Sequence, residues 1–66
     1  MADDHPFSFE VAPDRLIEGR YRWTIYEGHR TDALSPDSYA SEREAQIEAE
    51  KAIARRVALW SRINRS

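Results

Sequence analysis

The sequence predicts a small α+β domain: a two- or three-stranded antiparallel sheet packed by one long C-terminal helix, in the order ββ(β)α. Three observations carry this. Residues 7–11 and 20–27 alternate apolar and polar side chains with the period of a half-buried strand. Residues 42–64 contain no glycine or proline and are rich in alanine. A helix-capping signal stands immediately before them. With 66 residues there is room for one domain only.

Residues 1–6 read as a short mobile N-terminal tail, leaving 7–64 as the folded unit. In FSFEV, Phe7, Phe9 and Val11 share one side and Ser8 and Glu10 the other. Ala12-Pro13-Asp14 is expected to end this strand, because proline has no N–H to give to a ladder. Residues 14–19 leave two readings open: Leu16 and Ile17 either pad the core from a loop or extend the next strand. In residues 20–27, Tyr21, Trp23 and Ile25 take one face, and Arg20, Arg22, Thr24 and Tyr26 the other. The aromatic and β-branched content supports a strand. Glu27-Gly28-His29-Arg30 reads as a turn, with Gly28 free to take a positive φ. Residues 31–35 could return as a short third strand, whose register is hidden because Asp32 and Leu34 share a parity. Ser35-Pro36-Asp37-Ser38 is a loop by composition.

Ser41-Glu42-Arg43-Glu44 matches the capping box, a serine N-cap with glutamate at the third helical position. On a helical wheel, Ala45, Ala49, Ala52, Ile53, Val57, Leu59, Trp60 and Ile63 form one stripe suited to lying on a sheet. Arg56 falls inside it, its stem able to cover apolar surface while its head reaches water. Ile47, Ala54 and Ala58 form a smaller strip on the opposite side. The expected core is Phe7, Phe9, Tyr21, Trp23, Ile25, Val57 and Trp60, with the second face of the sheet uncovered.

A chain this short buries only about 60% of its unfolded surface, so small domains commonly need a staple or a partner. Cysteine is absent, which removes disulfides and thiolate metal sites. Partner burial, self-association included, gains weight. No apolar run reaches the length of a membrane span, and MADDHPFSFE lacks the pattern of a signal peptide. The expectation is a cytoplasmic protein with no membrane partner.

The net charge of −2 is unevenly spread: −7 over residues 1–50 and +5 over residues 51–66. The basic residues of the second segment are Lys51, Arg55, Arg56, Arg62 and Arg65. Acids in the first half of the helix and bases in the second complement its dipole, and Glu48 and Lys51 are spaced to pair. Two such helices could align antiparallel, acid half against basic half, in a two-fold contact.

The candidate chemistry is sparse. His5 and His29 are the only histidines. No nucleophile, phosphate loop or metal-protease pair accompanies them, so no enzyme is expected, with His29 the one acid–base candidate held in reserve. Asp3, Asp4 and His5 cluster, but at no recognised metal spacing, and neither metal nor cofactor is expected. Nucleic-acid binding is the sharper alternative. Arg20, Arg22 and Arg30 would contact phosphate or bases from the outer sheet face, with Tyr26 as a stacking platform. Against it stand the inward-pointing Tyr21 and Trp23 and the excess of acid over residues 1–50.

In "SYASEREAQIEAEKAI", residues 38–53, the chain resembles the YegP-like small bacterial domains. There, sheet strands lead through a tyrosine-serine segment into an alanine-rich helix, and Tyr39, Ser41 and Ala45 occupy the corresponding places. The resemblance spans residues 20–54 and implies a small bacterial protein of this fold. The chain departs from the pattern in lacking the asparagine and glycine features at the helix start and a tandem repeat. The element order is also similar to the DNA-binding domains of plant ethylene-response factors and phage integrase arms, a likeness of topology. The leading expectation is a non-enzymatic interaction module, a homodimer or the partner of another protein. Thr24, Tyr26, Ile47, Ala54 and Ala58 are its candidate interface residues.

Overall fold

The computed structural model describes residues 5–64. The elements are β1 (Phe7–Pro13), β2 (Tyr21–Glu27), β3 (Arg30–Leu34) and α1 (Glu42–Asn64). The three strands form one antiparallel sheet in the order β1-β2-β3, and α1 packs on one face of it. The expected ββ(β)α order therefore holds, with the third strand formed. Of the expected tail, residues 1–4 lie outside the described residues. His5 and Pro6 are held: Gly28 N–H donates to the Pro6 carbonyl (2.9 Å), and Phe7 N–H donates to His5 Nδ1 (3.2 Å).

Phe7, Phe9 and Val11 are half-buried between exposed Ser8 and Glu10, as the alternation requires. β1 does not stop at Ala12 as expected but runs through Pro13, which sits opposite Tyr21. β1 is an edge strand, and proline is tolerated there because a missing N–H need not break a second ladder. Between β2 and β3 the turn is two residues long. Gly28 takes φ +64° while His29 keeps a negative φ, the pattern of a II′ hairpin turn.

β3 pairs Ala33 with Ile25 and Thr31 with Tyr26, so Asp32 is the extra residue of a bulge. This slip is what hid the register. Below the bulge, Arg30 stands opposite Glu27, on the helix side of the sheet and not on the outer face with Arg22. The linker after β3 stays beside β2. Tyr21 and Tyr39 exchange both backbone hydrogen bonds, at 2.9 and 2.8 Å.

The capping box forms with a shift of one residue. Glu44 N–H donates to Ser41 Oγ (3.1 Å), and Glu44 Oε1 accepts from the Ala40 N–H (3.2 Å), one position before the N-cap. The helix occupies the expected residues, and its first half supplies the tightest packing. Ala45 and Ala49 are fully buried, as is Ile25, and Trp23 is 6% exposed. Phe7, Phe9, Val11, Ala33, Tyr39, Ala52 and Ile53 pack around this centre. Small alanines let α1 lie close to the large side chains of β2. Val57 and Trp60, expected in the core, are only half-buried, and Leu59 and Ile63 on the same stripe are exposed.

Ile25→Ala is expected to cost about 2–5 kcal/mol. A domain of this length has roughly 3–10 kcal/mol in total, so the variant's urea midpoint should fall close to zero. Ser41→Ala should cost about 1 kcal/mol, lowering Tm by about 4–8 °C in a thermal melt followed by circular dichroism.

Candidate interaction surface

The loop that joins β1 to β2 is organised by Asp14, a residue the sequence reading passed over. Its side chain is buried and accepts hydrogen bonds from Leu16 N–H (2.8 Å), Ile17 N–H (3.3 Å) and Arg22 Nε (2.9 Å). Asp14 N–H donates to the Arg20 carbonyl, and Gly19 closes the loop at φ +82°. A carboxylate receiving two backbone amides and a guanidinium is stabilised in its ionised form. Accordingly the Leu16 amide first, and then Arg22, hold the Asp14 carboxyl below its usual value of 3.8. The loop turns Leu16 and Ile17 outward, settling the open alternative: Leu16 is 90% exposed, and neither residue pads the core or extends β2. The residue type that could have signalled this is an aspartate straight after a strand-ending proline, which favours turns closed by its own side chain.

The same network fixes the arginines. Arg22 also donates through Nη1 to the Ser35 carbonyl (3.0 Å). Arg20 donates from Nε to Ser38 Oγ (3.0 Å) and from Nη2 to the Ser38 carbonyl (2.7 Å). Ser35, itself buried, accepts from Trp23 N–H at its hydroxyl. Arg20 and Arg22 thus brace the loops around residues 14–19 and 35–38 onto β2.

The outer sheet face carries Ser8, Glu10, Arg22, Thr24, Tyr26, Thr31 and Leu34. Tyr26 donates its hydroxyl hydrogen to Glu10 Oε1 (2.9 Å), a diagonal cross-strand bond. This bond, first, and the neighbouring carboxylate's charge raise the Tyr26 pKa above its usual value. Thr24 is half-buried at the centre of the face, and Leu34 is its one exposed large aliphatic. On the far side of α1, Ile47, Ala54 and Ala58 are all exposed, with Lys51 between them. Both candidate surfaces exist; neither gathers much apolar area.

The larger apolar surface lies elsewhere. A 23-residue helix is about 35 Å long, whereas seven residues of strand span about 23 Å. The helix packs on β1 and β2, not β3, and its last turns lie beside the sheet end that carries Phe7 and Glu27. There the sheet-facing stripe loses its cover: Leu59 is 58% and Ile63 is 73% exposed. Beside them lies an open groove of about 420 Å³. Phe7, Leu59, Trp60 and Ile63 give it an apolar floor, with Glu27 and Asp32 on the sheet side and Arg55 and Arg56 on the helix side. Arg56 Nε donates to Asp32 Oδ2 across the groove, so the bulge that displaces Asp32 also supplies this bridge. The pair is exposed, so the Arg56 head still reaches water, as expected, while its stem lies beside the apolar floor. His5 stacks on Phe7 with ring centroids 6.1 Å apart and meets Trp60 edge-on at 6.5 Å.

His29 is exposed in the hairpin turn. Among the described residues no three histidine, cysteine or acidic side chains stand together to hold a metal ion. Asp3, Asp4 and Arg65 lie outside the described residues. Among those described, no helix is long and apolar enough to cross a membrane. No family model, curated protein or solved structure matches the chain.

Asp14 makes a pH prediction. Its folded-state pKa lies below the unfolded one, so its contribution is fully present above about pH 4 and is lost as pH falls through the lowered value. The stability gap between wild type and Asp14→Asn, read from urea midpoints, should be constant near neutrality and close progressively in acid.

Proposed function

We propose that the chain is a small, non-enzymatic, cytoplasmic interaction module that associates with a second copy of itself through the end of α1. One observation carries this reading. The helix stripe that is fully buried at Ala45 and Ala49 is bare at Leu59 and Ile63. Burying a leucine or isoleucine completely contributes about 1.5–3 kcal/mol, before the cost of association. The chain has no disulfide to offset a small core.

Nucleic-acid binding through Arg20, Arg22 and Arg30 draws less support. The first two guanidiniums are engaged by Ser38, Asp14 and Ser35, and the third stands on the other side of the sheet.

Light scattering across a concentration series tests the proposal. The wild type should reach twice the monomer mass at micromolar concentration. Leu59→Glu combined with Ile63→Glu should stay monomeric with its thermal transition retained, since both side chains are exposed in the single chain. A wild type that remains monomeric would remove the proposal.

A further inference from the structure

The groove beside α1 has an acidic wall and a basic wall. Asp32 and Arg56 pair with each other inside the chain. Glu27, half-buried at the end of β2, and Arg55, exposed on α1, have no ion-pair partner within 4 Å among the described residues. Arg30, opposite Glu27 in the register, does not reach it as an ion pair either. Of the four charges that line the groove, Asp32 and Arg56 pair and one acid and one base are left over on opposite sides of one apolar floor; Arg30 is not part of the lining.

We infer that the self-association proposed above, on which this rests, is a two-fold dimer closed by reciprocal ion pairs between Glu27 of one copy and Arg55 of the other. In a two-fold contact the same patch meets itself, so any residue pair formed once is formed twice. A second copy turned about an axis through the groove mouth brings its basic wall to this acidic wall, and its acidic wall to this basic one. Leu59 and Ile63 of each chain then meet the floor of the other. Other occupants fit less well. An acidic segment would face Glu27 and Asp32, and a basic one would face Arg55. A neutral apolar segment would cover both unpaired charges and give them nothing in exchange for water. A copy of this chain satisfies both. The charges stand beside the apolar floor, where such pairs set orientation and partner choice more than raw affinity.

Charge reversal tests the pairing. Glu27→Arg and Arg55→Glu are made in separate chains, checked for folding by circular dichroism, and measured by sedimentation equilibrium at low salt. Each reversed chain alone sets like charges against each other at both contacts, so its self-association should weaken by about tenfold or more. Mixed in equal amounts, the two should form a heterodimer of wild-type affinity, because both contacts are again acid against base. A single chain carrying both reversals should dimerise as the wild type does.

Reversed chains that self-associate like the wild type, or a mixture that does not recover, would overturn the pairing while leaving self-association standing. In the same way, sensitivity to Glu44→Arg and Arg62→Glu but not to the Glu27 and Arg55 reversals would replace it with an antiparallel α1–α1 contact. A wild type with no self-association at all would remove both.

Discussion

One helix has to cover one face of a three-stranded sheet, and most of the structure follows from how it does so. The helix is fully buried only at alanines, Ala45 and Ala49, and Ala49 packs with Ile25 and Trp23 of the central strand. A larger residue at either position would lift the helix away from β2. Because the helix is placed over β1 and β2, it meets β3 through the Arg56–Asp32 bridge, and Ala33 packs at the edge of the core. Because it is longer than the strands, Leu59 and Ile63 near its far end are left exposed. The groove is the joint result of these two mismatches, one in width and one in length.

The buried centre carries one blemish that bears on how much such a small domain can spare. Trp23 Nε1 is buried without an acceptor among the described residues. An unsatisfied buried donor costs about 1–3 kcal/mol, a large share of the total for a chain of this length. The polar network at the opposite end of the sheet from the groove works in the other direction. Asp14, Arg20, Arg22, Ser35 and Ser38 tie both long connections to β2 through charge-assisted bonds. The two ends of the domain thus differ in kind: one is closed by internal hydrogen bonds, the other is open and apolar.

Much of the fold was legible in local pattern. Strict alternation assigned the inward faces of β1 and β2, and the capping signal at Ser41 with the absence of helix breakers after it located the start and the approximate extent of α1. What stayed hidden needed information that no local pattern contains. A helical wheel gives the angle of Leu59 and Ile63 but not how far the sheet extends beneath them; comparing the rise of helix and strand would have shown the mismatch in length. The register of β3 was obscured by a single bulged residue, Asp32. The arginines looked solvent-facing because alternation reports which side of a sheet a residue takes, not whether a loop folds back to meet it. The turn at Asp14 had a local signal, its side chain accepting from the amides of Leu16 and Ile17, but its pairing with Arg22 eight residues away did not. The strip of Ile47, Ala54 and Ala58 is where the wheel put it, and it is exposed.

Amide hydrogen exchange over residues 56–64, compared between dilute and concentrated protein, reads whether a second copy covers the bare end of α1. With a second copy there, protection rises with concentration while the loop around Asp14, at the other end of the sheet, exchanges alike in both. Fast exchange at the end of α1 that does not depend on concentration would mean that no second copy covers it.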